Sequence, residues 1–143
     1  MAKATIQHNI VSFGLYEQWQ DEDKALPKIK AFTTNVPAKI DIEFGFIINI
    51  KKGKGKKIQY CIYHPNIPDD NGEIMPPFLG EMYIKDNNWH FYLGDTIWAP
   101  INNKTGEWRM TVSCDDTIIA DKTFTVDEPN DICEAKFWKR AGY

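Results

Sequence analysis

The chain reads as all-β: an antiparallel β-sandwich of about seven strands. Three observations predict it. Residues 40–50, IDIEFGFIINI, place Ile40, Ile42, Phe44, Phe46, Ile48 and Ile50 on one parity. Residues 107–114, EWRMTVSC, alternate in the same way and run through Asp115-Asp116 into TIIADKTFTV, residues 117–126. No segment carries a sustained amphipathic helical repeat. Successive side chains of a strand point to opposite faces, so period two reserves one face for a core.

The elements follow in order. Residues 5–19 read as a long first strand, bent at Gly14. Residues 20–38, with Pro27 and Pro37, read as a long connection to the strand at 40–50. Residues 58–64, IQYCIYH, have strand composition. Residues 65–77 hold Pro65, Pro68, Pro76 and Pro77, which rules out a central strand. Residues 79–85 and 89–93 flank Asp86-Asn87-Asn88, which has turn chemistry. Residues 99–106 form a loop, and the hairpin over 107–126 closes the pattern, with Ile118, Ala120, Phe124 and Val126 on one parity. The expected core is Ile40, Ile42, Phe44, Phe46, Ile48, Trp108, Met110, Val112, Phe124 and Val126. A closed barrel is the rival architecture, because strand patterns do not specify closure. Residues 1–127 are expected as one domain. Residues 128–143 are expected as a tail, a short helix or a docking arm, with Phe137, Trp138 and Tyr143 as its apolar anchors.

Composition narrows the function. The 143 residues suit a single domain, and the 43% hydrophobic and 13% aromatic fractions exclude intrinsic disorder. A net charge of −3 excludes a globally electropositive nucleic-acid binder. No apolar run is long enough to span a membrane. The start, MAKATIQHNIVSFGLYEQW, lacks a basic region followed by a continuous apolar stretch, so the expected compartment is the cytoplasm. Cys61, Cys114 and Cys133 are an odd set, too widely spaced for a metal knuckle. They are expected as free thiols.

The segments VSFGLY, IDIEFGFIINI, YHP and GEWRMTVSCDDTIIADKTFTV together resemble a family of short bacterial domains of unknown function, over about residues 10–127. The Gly106-x-Trp108 start and the Phe124-x-Val126 end also resemble bacterial immunoglobulin-like domains. The resemblance implies an immunoglobulin-like sandwich. It implies no activity and transfers no functional residue.

Chemistry is sparse. His8, His64 and His90 are far apart in sequence. His64 with Asp69, Asp70 and Glu73 could converge on a cation, but DDNGE reads first as a turn. Ser12 and Ser113 are the only serines, and neither sits in a nucleophile motif. Cys61 and His64 are an odd number of residues apart, which places them on opposite faces of a strand. Asp41 and Glu43 read as a solvated outer face. KKGKGKK lacks the order of a phosphate loop. No catalytic residue, metal or cofactor is expected.

Two surfaces remain as candidates. Lys51, Lys52, Lys54, Lys56 and Lys57 form a basic loop suited to an anion or a partner. Tyr63, Tyr92 and Trp98 would form an aromatic binding surface if one sheet exposed all three. The expected function is a non-enzymatic protein-interaction module, with a protein partner or a second copy of the chain and no nucleic acid. Two alternatives stay open. One is a domain for glycans or other polar ligands near Trp98. The other is a small enzyme or metal site around His64 and the Asp69–Glu73 loop.

Overall fold

The strand richest in alternating apolar residues lies at the centre of the molecule. In the computed structural model, which describes residues 6–18 and 25–128, it spans Glu43–Lys51 and is the fourth strand, β4. The others are β1 (Gln7–Tyr16), β2 (Ile29–Ala31), β3 (Asn35–Pro37), β5 (Lys57–Tyr63), β6 (Phe78–Tyr83), β7 (Asn88–Thr96), β8 (Gly106–Cys114) and β9 (Thr117–Asp127). They form a four-stranded sheet, β2-β1-β4-β7, and a five-stranded sheet, β3-β9-β8-β5-β6. The ladders of the two sheets stay separate, so the architecture is a sandwich rather than a closed barrel.

Alternation sets the core. Phe44, Phe46, Ile48 and Ile50 are fully buried between the sheets, opposite Trp108, Met110, Val112, Phe124 and Val126. The Phe44 ring meets Trp108 at 5.4 Å and Phe124 at 5.5 Å, both edge to face. Each such side chain contributes about 2–3 kcal/mol through removal from water. The Trp108 indole N–H donates to the Lys104 carbonyl at 2.8 Å, so the largest core residue leaves no unpaired donor.

Three expectations fail locally. Ile40 is 53% exposed, not core. It sits in a turn whose next residue, Asp41, has φ 71°, and the strand starts only at Glu43. Ile118 is also exposed. A bulge shifts the β8–β9 register, pairing Val112 with Ala120 but Ser113 with Ile118, so Ile119 takes the buried place. The connection at 20–38 contains β2 and β3, giving nine strands among the described residues rather than seven. β3 runs parallel to β9, with Val36 beside Val126. Both are three-residue edge strands, too short for a period to register.

The β8–β9 hairpin turns at Asp115 and Asp116, with φ 52° and 64°. Positive φ at both central residues matches the twist of the flanking strands.

The second face of β4 is not solvated. Glu43, Ile47 and Asn49 are buried, together with Ser12, Tyr16 and Tyr92. Tyr16 and Tyr92 meet edge to face at 5.1 Å over Ile47. The Asp41–Glu43 pair therefore divides: Asp41 stays in the exposed turn, and Glu43 lies inside. The C-terminal tail, with Cys133, Phe137, Trp138 and Tyr143, lies outside the described residues.

Candidate functional site

The basic loop is an arch. β4 and β5 belong to different sheets, so residues 52–56 cross one end of the sandwich. The backbone anchors it. Lys52 N donates to the Asn87 carbonyl (2.9 Å), Lys54 N to Asn87 Oδ1 (3.1 Å) and Gly55 N to the Ile84 carbonyl (2.9 Å). Two of the five lysines serve the fold. Lys56 Nζ pairs with Asp115 at 2.6 Å. Lys57 Nζ pairs with Glu81 at 3.4 Å and lies 5.4 Å from the centre of the Tyr83 ring. Lys51, Lys52 and Lys54 face solvent.

The three aromatics named from sequence do not come together. Tyr63 is on the outer face of the five-stranded sheet, under the Arg109 guanidinium at 5.8 Å. Tyr92 is on the outer face of the four-stranded sheet and is buried, with its hydroxyl donating to the Glu43 carboxylate. Its ring lies over Gly94, where a Cβ would stand 2.1 Å from the hydroxyl oxygen. Trp98 is half-buried beyond β7, against Trp108 (6.2 Å) and Phe78 (6.5 Å), with Lys104 Nζ 4.3 Å from its ring centre. Parity told which face of its own sheet each residue takes, but not which sheet holds it.

His64 serves as a loop fastener. Its ring packs on Phe78 at 4.6 Å, while Nδ1 faces the Pro65 carbonyl (2.6 Å) and Nε2 the Pro76 carbonyl (2.9 Å). Asp69 Oδ1 accepts from the backbone N–H groups of Asn71 (2.8 Å) and Glu73 (3.0 Å), closing a capped turn. Among the described residues, no three His, Cys, Asp or Glu side chains gather as metal ligands do.

A surface that sequence reasoning did not single out lies on β5 and β6. β6 is the outer strand of its sheet and, among the described residues, pairs only with β5. Its alternate residues Leu79, Glu81 and Tyr83 stand outward, opposite Cys61, Gln59 and Lys57. Leu79 is 77% exposed, Tyr83 61% and Tyr63, at the end of β5, 44%. Arg109 holds the far rim through a two-bond pair with Asp121, at 3.0 and 2.7 Å. The only sequence signal was an apolar residue on each side of Glu81. That pattern reads equally as a buried face until the sheet order is known.

The match to a family model decides the kinship. The model described as domain of unknown function DUF3859 covers residues 4–126. The chain belongs to the DUF3859 family. No functionally curated protein matches this DUF3859 chain in sequence. Its fold is similar to that of an immunoglobulin-like protein (PA1606) from Pseudomonas aeruginosa. That match has 22% identity and a TM-score of 0.71, covering 89% of this chain and all of the other. A β-glucosidase from Kluyveromyces marxianus matches at 12% identity and TM-score 0.40, over 87% of this chain and 14% of the other, and carries no argument. The DUF3859 domain is thus an immunoglobulin-like sandwich.

Two further concavities lie at its open side. A slot of about 520 Å³ separates β7 from β5 and β6, lined by Tyr60, Met82, Phe91, Leu93 and Asp95. A groove of about 480 Å³ runs between the 65–77 loop and residues 98–104, lined by Ile67, Met75, Trp98 and Lys104. Burial pushes the Asp95 carboxyl up to about 6, against the pull of its bond from the Thr96 N–H. Burial lowers the Lys104 ammonium from its ordinary value, and Asp95 opposes that shift. Among the described residues, no helix of this DUF3859 domain is long and apolar enough to cross a membrane.

Proposed function

We propose that this domain is a non-enzymatic protein-interaction module that binds its partner on the outer face of β5 and β6. The observation that carries the reading is the exposure of Leu79, Tyr83 and Tyr63 on two neighbouring strands. Large apolar side chains grouped on a surface lose free energy to water, and such groups mark interaction sites. Tyrosines add amphipathic contact area at little conformational cost. The compartment consistent with this reading is the cytoplasm, where thiols such as Cys61 and Cys114 stay reduced.

The test is affinity capture with a double variant, Leu79→Ser with Tyr83→Ser. Neither side chain belongs to the core, so the thermal midpoint should hold. A stoichiometric protein captured by the wild type should be lost by this variant. It should be retained by a variant with Lys51, Lys52 and Lys54 changed to Ser. Capture that survives the double variant counts against the surface.

A further inference from the structure

We propose that the partner adds an extended strand to the free edge of β6, and that this strand belongs to a different protein and carries a basic residue between two apolar ones at alternate positions. The inference rests on the interaction reading above and specifies its mode.

The backbone sets the mode. Ile84, directly after β6, donates its N–H to the Lys56 carbonyl (2.8 Å) and accepts from Gly55 N (2.9 Å), so its polar groups point toward β5. An antiparallel ladder alternates direction at each residue. Phe78, Gly80 and Met82 therefore also point toward β5, and Leu79, Glu81 and Tyr83 turn their N–H and C=O groups to the open edge. Edges of this kind are commonly blunted by proline, a bulge or shortness. β6 has six residues, an unbroken register and no proline. The other outer strand of this sheet, β3, has three residues, as does β2 in the other sheet. β7 holds its side chains Phe91, Tyr92 and Leu93 buried. Among the described residues, β6 is therefore the outer strand that combines a long unpaired edge with exposed apolar side chains.

The side chains set the partner. A second copy paired antiparallel with Leu79 against Tyr83 would set Glu81 against the same glutamate of its copy, and one shifted by two residues would set the Glu81 charge against the apolar Leu79. Like charges directly opposed across strands destabilise the pairing. A foreign strand with lysine or arginine at that position turns the repulsion into attraction. Glu81 has room for it, because its bond to Lys57 is long (3.4 Å) and exposed. Leu79 and Tyr83 then favour apolar residues on each side. A shallow depression of about 340 Å³ opens beside Leu79, Gly80 and Glu81. This is strand addition with side-chain selection.

The probe is a synthetic peptide carrying valine, lysine and valine at alternate positions with threonine between them. Its twin carries glutamate in place of lysine. Peptide-induced NMR shifts should appear along β6, with tighter binding of the lysine peptide. Glu81→Pro removes an outward N–H without touching the ladder to β5 and should weaken binding about tenfold. Glu81→Lys should reverse the preference between the peptides, a readout that a folding defect would not produce. Equal binding of both peptides to the wild type, or binding untouched by Glu81→Pro in a folded variant, overturns the proposal. A wild-type dimer in sedimentation that Glu81→Pro dissolves also overturns it, in favour of a second copy. If the peptide assays fail but Leu79→Ser with Tyr83→Ser still loses the captured partner, strand addition falls and the surface stands. If neither responds, both fall.

Discussion

Lys104 Nζ lies 4.3 Å from the centre of the Trp98 ring, in a lysine with no solvent exposure. The ammonium donates to the Pro100 carbonyl at 3.0 Å and to Asn103 Oδ1 at 2.5 Å, and the indole face supplies further negative potential. A buried charge is retained only where such partners replace water.

Lys104→Met keeps an unbranched stem against Trp98 and removes the charge. It should change unfolding stability by less than about 1 kcal/mol. Lys104→Ala removes the stem as well and should cost about 2–3 kcal/mol. Urea midpoints compare the two. Equal losses would mean that the charge, not the packing, holds the loop.

Asp95 should make stability depend on pH. Its folded carboxyl titrates near 6, above the ordinary 3.8, because burial disfavours the charge. Between those values the folded form holds a proton that the unfolded chain has released. Stability should therefore fall as pH rises across that window and level off above it. Asp95→Asn removes the titration. It should exceed the wild type by at most about 2–3 kcal/mol at pH 7, with no advantage near pH 4. A gain of the same size at both pH values would refute the assignment.

Phe44 and Ile40 share a parity but not a role. Phe44→Ala opens a cavity under Trp108 and Phe124 and should cost about 3–5 kcal/mol. Ile40→Ala, in the exposed turn, should stay within about 0.5 kcal/mol. Thermal unfolding of the pair checks where β4 begins. A large loss at Ile40 would place that residue in the core.

Tyr92→Phe deletes one donor to the buried Glu43 carboxylate, whose other oxygen accepts from the Thr96 hydroxyl at 2.5 Å. The expected cost is about 1–2 kcal/mol, from a carboxylate left short of a partner. Glu43→Gln in the same background should recover part of it. Additive losses in the double-mutant cycle would show that the two groups do not interact.

Local geometry was legible in the amino-acid pattern. Period two over Phe44–Ile50 and over Trp108–Cys114 names the residues that face the core, and Asp115-Asp116 names the turn. These are properties of a strand and its immediate neighbours, because each peptide unit reverses the side-chain direction. The tertiary structure alone decided what depends on partners distant in the chain. It put Tyr63 and Tyr92 on different sheets, covered Glu43, buried Lys104 and, among the described residues, left β6 with only one neighbouring strand. A side chain's face follows from its own backbone, but its burial follows from what the other strands bring to it. The apolar residues Ile40 and Leu79 are exposed and the charged residues Glu43 and Lys104 are buried for that reason.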